Sequence, residues 1–347
     1  MQLTPEIKAQ LQEQKKQCTF CKLISGEMEA KKCFEDEKTL AMLDIRPALK
    51  GHMVFVLKEH YPIMPYIPPD EFKHYFGLIP QLCQALKEGM AMTGVNVFVA
   101  NGGIAGQQAP HFLVHFLPRE NDDGFFNFYF EENATLPEDK IQMLSHNFPL
   151  MMNNHFSRNP AKWHQGNGDT PEFLQEVKNK SKVIYEDEKV MVVVPDQGGV
   201  PGHLQIYSKT EKQFIENLSI EDSSHLFFTA SFAATAVFEG LGAQGTNLIL
   251  KSGFSDDNPE GRLCLHVLPR MPEDGLHKIT WEAKEPSYNL DNIAERIKDN
   301  TWSVKYINEE IKKEPLVVKE VIKEATTVSE SNPMLEEIKK AIETFNG

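Results

Sequence analysis

One spacing constrains this chain more than any other. Short motifs in the first half return 151 residues later, with no gap between the first pair and the last. Phe34-Glu35-Asp36-Glu37-Lys38 reappears as Tyr185-Glu186-Asp187-Glu188-Lys189, Gly51-His52 as Gly202-His203, and Lys58 as Lys209. Gly94 and Asn96 reappear as Gly245 and Asn247, and His115-Phe116-Leu117-Pro118-Arg119 as His266-Val267-Leu268-Pro269-Arg270. The offset is constant (185 − 34 = 151 and 270 − 119 = 151). Self-similarity of that length marks a duplicated domain, and 347 residues accommodate two.

Each copy reads the same way. A charged turn opens a strand (39–43; 190–194), and a glycine leads into a second (53–57; 204–208). A long helix follows at about 69–92 and 221–239, acidic at its start as helix N-termini prefer. Gly94 and Gly242 stand where those helices should stop. Two further strands close each copy, 96–100 with 111–117 and 247–251 with 262–268. Strands around one long helix, joined by short turns, give an α+β fold with an antiparallel sheet. The expected organisation is a first domain over 1–135, a linker with short helices over 136–180, a second domain over 181–300, and a charged helical tail over 301–347. In the tail, Val317, Val318, Val321, Ile322 and Ala325, then Leu335, Ile338, Ile342 and Phe345, fall at helical spacing. Those stripes suit packing on the domains, or else a protein partner.

Charge narrows the ligand. The net charge of −14 argues against general nucleic-acid binding, which needs a basic footprint. A local pocket for a small phosphorylated molecule stays compatible with it. No apolar run reaches the roughly 18 residues of a membrane span. Residues 1–16 are polar, unlike a secretory leader, and five cysteines are an odd number for a disulfide framework. The expected compartment is the cytoplasm.

The 111–117 strand concentrates chemistry. Alternate strand residues share a face, so His111, Leu113 and His115 should point one way. Just before them lies Asn101-Gly102-Gly103-Ile104-Ala105-Gly106-Gln107-Gln108, a glycine-rich loop able to offer backbone N–H groups to a phosphate. With Leu43-Asp44-Ile45-Arg46-Pro47 and Gly51-His52-Met53-Val54-Phe55-Val56, this order and spacing resembles the histidine-triad (HIT) family. The resemblance covers roughly residues 18–124, and more loosely 183–275.

It implies binding of a purine nucleoside monophosphate or a conjugate of one, with cleavage or transfer at the α-phosphate. Asp44 would take the ribose hydroxyls. Asn101, Gly106, Gln107 and Gln108 would approach the phosphate, and His115 would bond to it. HIT proteins pair as homodimers through their sheets, so the two copies are expected to form an intramolecular pseudo-dimer.

The departure from the family pattern carries as much weight as the match. The signature is His-φ-His-φ-His, whose middle histidine is the nucleophile. Here that position is Leu113, which has no lone pair to attack with. The second copy reads Arg262-Leu263-Cys264-Leu265-His266, and the position matching Asp44 is Pro195. The expectation is therefore nucleotide binding with hydrolase or transferase activity lost or much reduced. An active enzyme using Cys264, flanked by Arg262 and His266, or using His115 as a base toward water, is one alternative. A non-catalytic scaffold is another. For Cys264 the preferred reading is a small buried residue, the commoner fate of a strand cysteine.

Cys18-Thr19-Phe20-Cys21 is a C-x₂-C pair, which reads as metal or redox chemistry. Some HIT proteins complete such a pair with a histidine after the second strand and the first triad histidine. Those positions match His60 and His111, so the resemblance implies a structural zinc on Cys18, Cys21, His60 and His111. The second copy lacks the pair and has Glu211 and Arg262 at the histidine positions, so all four are absent together. The alternative is two free thiols and two ordinarily hydrogen-bonded histidines. His52 and His203 are expected to bond to backbone, and Arg119 and Arg270 to meet either a phosphate or a surface acid.

Overall fold

A computed structural model describes residues 13–158, 168–276 and 279–307. The tail stripes at 317–345 and Trp163-His164-Gln165-Gly166 lie outside these residues. Each copy opens with a hairpin, β1 (Lys32–Glu35) with β2 (Thr39–Leu43), and β6 (Ser181–Glu186) with β7 (Val190–Pro195). The strands β1 and β6 had no distinct signal in the sequence. The repeated acidic turn explains the hairpins. Asp36 accepts from the Lys38 and Thr39 amides and from His74, and Asp187 accepts from the Lys189 and Val190 amides and from His225. One carboxylate thus ties each turn to the helix behind it.

The remaining strands are β3 (Met53–Leu57), β4 (Gly94–Asn101), β5 (Leu113–Arg119), β8 (Leu204–Ser208), β9 (Gly245–Gly253) and β10 (Cys264–Arg270). All ten make one antiparallel sheet in the palindromic order β1-β2-β3-β5-β4-β9-β10-β8-β7-β6. The copies join through β4 and β9, where Phe98 pairs with its own repeat counterpart Ile249 (98 + 151 = 249). Val97 and Val99 pair with Leu250 and Leu248, the counterparts of each other, so the junction is self-complementary as in a two-fold dimer. Gly94 faces Gly253 there, and a Cβ on Gly94 would come within 2.9 Å of two backbone carbonyls.

One face of the sheet carries the helices. In the first copy the expected single helix is two, α2 (Pro69–Gly77) and α3 (Ile79–Met90), with Pro80 in the first turn of the second. Proline has no N–H to continue the ladder from α2, so the helix restarts there. α3 stops at left-handed Ala91, and Gly94 opens β4 instead of ending the helix. The second copy has one helix, α6 (Ile220–Leu241), capped by Ser219 and ended by left-handed Gly242. Phe72 meets Phe228 edge to face, Phe76 stacks on Phe227, and one apolar core runs through both copies.

The segment following each copy crosses to the other. The stretch between the copies holds α4 (Glu138–Arg158), longer than the short helices expected, and α5 (Glu172–Asn179). α4 packs against α6 and β6 of the second copy, while α7 (Leu290–Lys298) packs against α3 and β1 of the first. The conserved-offset arginines serve this exchange and meet no surface acid. Arg119 is fully buried, bonding Asp123, Asp257 of the other copy and the Phe125 carbonyl. Arg270 likewise bonds Asp274, the Asn247 side chain and the Leu276 carbonyl.

Candidate functional site

The opposite sheet face holds the candidate chemistry. On the first copy, α1 (Thr19–Ser25) lays Phe20, Leu23 and Ile24 across Leu40, Met42, Val54 and Val56. Cys18 stands at its N-cap and Cys21 one turn later, so the spacing puts both thiols on the side facing the sheet. His111 lies two residues ahead of β5, outside the strand where the pattern put it, and is buried beside them. His60 follows β3. The donor atoms of Cys18, Cys21, His60 and His111 lie within 4.8 Å of one another.

Their geometry and tautomers fit a metal ion. Cys18 Sγ and Cys21 Sγ are each 3.6 Å from His111 Nδ1, and Cys21 Sγ is 3.3 Å from His60 Nδ1. A tetrahedral zinc with ordinary Zn–S and Zn–N bonds separates S and N by about 3.5 Å. His111 Nε2 lies 2.9 Å from the Leu57 carbonyl, which can only accept, so Nε2 carries the proton and Nδ1 turns a lone pair to the thiols. That backbone anchor is the usual outer partner of a ligating histidine. Burial and the neighbouring Cys18 push the Cys21 thiol up to about 12.

A second histidine pair lies between this Cys/His cluster and the copy junction. The Ala48 amide, necessarily a donor, is 3.1 Å from His52 Nδ1. Burial holds His52 well below the usual histidine range, so it is neutral and its proton sits on Nε2. His52 Nε2 therefore donates to His115 Nδ1 at 2.9 Å. Burial also pushes His115 down to about 3, leaving it neutral with its proton on Nε2. The relay thus presents an N–H donor at His115 Nε2, not a base. His52 bonds to backbone as expected, but its second bond, which fixes His115, was not foreseen.

The expected pocket residues gather near this pair with uneven roles. Asp44 sits 3.9 Å from His52, its Oδ1 accepting the Arg46 amide, and burial raises its pKa above the ordinary value. Asn101 ends β4, donating to Thr246 of the second copy while its buried Oδ1 has no hydrogen-bond partner. Gln107 is consumed within its own loop: Oε1 accepts the Gly102 amide, and Nε2 donates to the Pro62 and Ala109 carbonyls. The amides of Ala105, Gly106 and Gln107 bond to Gly102 and Gly103 carbonyls, so these N–H groups close the loop on itself and do not line an anion cradle. Gln108 is exposed. Leu113 packs with Val54, Val56, Phe20 and Leu23, an apolar patch where the triad nucleophile would stand.

The second copy repeats the relay. The Gly199 amide bonds His203 Nδ1, and His203 Nε2 lies 3.0 Å from His266 Nδ1. Burial holds both far below the usual range. Around it the pocket has changed. The counterpart of Gly106 is Asp257, whose buried carboxylate is taken up by Arg119 and Asn96 of the first copy. Arg262 lies ahead of β10, outside the expected strand, and pairs with Glu260. Burial outweighs the pull of Lys251 and Arg262 on Cys264, whose thiol is pushed up to about 12.

Two aromatic side chains that sequence reasoning missed cover the histidine pairs. Trp281, from the second copy's trailing segment, stands edge-on to His52 and His115 of the first, with centroids 5.1 and 5.2 Å away. Phe130, from the first copy's trailing segment, does the same to His203 and His266 at 5.4 and 5.5 Å. The signal was available, since 130 + 151 = 281.

A family model described as HIT domain matches residues 25–122 and again 176–273. An uncharacterized HIT-like protein of Methanocaldococcus jannaschii is 40% identical over 107 residues, 31% of this chain and 82% of that protein. An adenosine 5′-monophosphoramidase of Candida albicans is 33% identical over 109 residues, 30% of this chain and 72% of the relative. Among solved structures, a Zn-bound histidine triad family protein from Mycobacterium smegmatis is 31% identical, covering 32% of this chain and 80% of its own, with a TM-score of 0.30. Among the described residues no helix is long and apolar enough to cross a membrane.

Proposed function

The chain belongs to the HIT-domain family, and we propose that its first copy binds a purine nucleoside monophosphate, or a conjugate of one, without cleaving it at ordinary enzyme rates. One observation carries this reading: the His52–His115 relay presents a fixed N–H donor, while the adjoining nucleophile position is filled by packed Leu113. A neutral donor holds a phosphate oxygen and neither attacks phosphorus nor takes a proton from water. Asp44, beside the pair, supplies the carboxylate for ribose hydroxyls. Loss of a catalytic nucleophile costs on the order of 10⁴ to 10⁶ in rate, whereas these binding groups do not depend on it. The relative active on an adenosine monophosphate derivative supports the ligand class.

Cys264 gives the enzymatic alternative little support, because a thiol held near 12 is protonated at neutral pH. We further infer that Cys18, Cys21, His60 and His111 hold a zinc ion, which when bound would supply four-coordinate cross-linking and no open position for chemistry. Five unpaired cysteines suit a reducing compartment such as the cytosol. Calorimetric titration with AMP and GMP, together with turnover of an AMP phosphoramidate by the wild type and Cys264→Ala, tests the reading. Binding with negligible turnover in both proteins is expected, and turnover at ordinary enzyme rates would overturn it.

A further inference from the structure

The two trailing segments are built alike but fastened differently. Over the second copy, Phe130 is held by a reciprocal backbone bridge four residues on: the Ala134 amide bonds the Gly198 carbonyl at 2.8 Å, and the Gly198 amide bonds the Ala134 carbonyl at 2.7 Å. Buried Lys251 adds a bond to the Phe128 carbonyl and lies over the Phe130 ring. Over the first copy, the matching bridge would join Glu285 to Pro47 (134 + 151 = 285 and 198 − 151 = 47). Proline has no N–H, so the two-way bridge cannot form there. The counterpart of Lys251 is Ala100 (251 − 151 = 100), which has no ammonium to offer.

The first-copy segment is fastened chiefly by side chains: Ile279 is buried, and Trp281 packs among Phe98, Phe125 and Phe128. Asn127 donates to the Thr280 carbonyl at 3.1 Å, and Arg46 and Glu285 stand 3.8 Å apart, both well exposed. An exposed pair of that kind contributes little. Residues 282–285 are exposed.

This segment, which lacks the backbone bridge, lies over the His115 donor and beside the glycine loop. Trp281 covers His115, and a Cβ added to Gly106 would strike Thr280 Cγ2 at 2.3 Å, so Thr280 rests directly on the glycine loop. The second copy makes the same aromatic contact over a pocket whose loop carries Asp257. A ring in the same place over both histidine pairs, although the two loops differ in sequence, marks it as a cover and not as part of one ligand's wall.

We propose that residues 280–288 form a releasable latch over the first-copy pocket, anchored at buried Ile279: Trp281 and Thr280 occupy the ligand's place, and a bound nucleotide displaces them, while the Phe130 segment stays locked over the second copy. The idea rests on the nucleotide reading above. If the latch is closed most of the time, the apparent dissociation constant is raised by the inverse of the open fraction.

AMP titration of the full chain and of Trp281→Ala tests it. Removing the ring should tighten AMP binding by about fivefold or more, and unchanged or weaker binding overturns the latch. Because Trp281→Ala also removes apolar packing, a second measurement uses Trp163→Phe/Trp302→Phe, which leaves Trp281 as the sole tryptophan. Saturating AMP should shift its emission to the red and raise its quenching by acrylamide, whereas emission that stays shielded in the complex overturns the proposal. Failure of both the wild type and Trp281→Ala to bind AMP at millimolar concentration overturns the nucleotide reading itself, and the latch falls with it. Binding by both with no tightening removes the latch alone.

Discussion

Replacing His203 by glutamine should make the protein less stable at neutral pH yet less sensitive to acid. His203 is 1% exposed, takes the Gly199 amide on Nδ1, points Nε2 at His266, and has a pKa pushed down by burial to about 3. In the unfolded chain the same imidazole titrates near 6.5. Between those values the unfolded state binds a proton that the folded state refuses, so stability rises with pH across the window. Acidification therefore removes stability, starting as pH falls through about 6.5 and ending near 3.

At pH 5 the unfolded-state preference amounts to roughly 1.5 units, or about 2 kcal/mol from this one residue. Glutamine has no such titration but leaves the Gly199 amide without its acceptor, a cost of about 1–3 kcal/mol at every pH. Urea unfolding of both proteins, followed by circular dichroism from pH 7.5 to pH 5, reads the difference. The stability gap should shrink by about 2 kcal/mol over that range. Carboxylates held low, such as Asp36 at about 2, lose their contribution only at more acid pH and leave the window to histidine. A gap of constant size would refute the reasoning, because it would mean that His203 is not held neutral by the fold.

Three further outcomes follow from the geometry. Protein purified without an affinity tag should carry one equivalent of zinc, and Cys18→Ser/Cys21→Ser should lose it along with thermal stability; a metal-free wild type of unchanged stability would remove the metal centre. Gln107→Ala deletes three hydrogen bonds that shape the glycine loop, so AMP affinity should fall by about tenfold with zinc content unchanged, as expected when about 1–1.5 kcal/mol of preorganisation is lost; calorimetry and metal analysis on one preparation check both. Asp257→Ala removes one of the two carboxylates on buried Arg119 and the acceptor of Asn96, and losing those hydrogen bonds should cost about 1.5–3 kcal/mol in urea unfolding, whereas a loss below about 1 kcal/mol would show that Asp123 holds the arginine alone.

Much of this was legible because duplication and period are properties of the chain itself. The constant offset announced two copies, and the alternation on either side of His115 announced a strand with one face in the core. The resemblance named Cys18, Cys21, His60 and His111 as one set, and the fold brings their donor atoms within 4.8 Å of one another. The misreadings have physical causes. The 69–92 pattern kept helical periodicity across Leu78, and only the missing amide of Pro80 separates α2 from α3. Arg119 and Arg270 read as partners of a phosphate or a surface acid; their near acids Asp123 and Asp274 stand only four residues on, but that these pairs are buried, and that Asp257 joins Arg119, is set by the fold. Gln107 read as a phosphate contact, but its side chain bonds carbonyls of its own loop and of Pro62.

By itself, then, the sequence determined that there are two copies, which strands carry the chemistry, and that neither copy has the triad nucleophile. These follow from residue identity and spacing alone. Only the tertiary structure decided what surrounds those residues. It runs one sheet through both copies at Phe98 and Ile249, and it sets the proton on His115 Nε2 through a bond from His52 that spans 63 residues. It also brings Trp281 of one copy onto the histidines of the other. A tautomer, a buried charge and a covered pocket are each set by neighbours, and here the neighbours come from the far half of the chain.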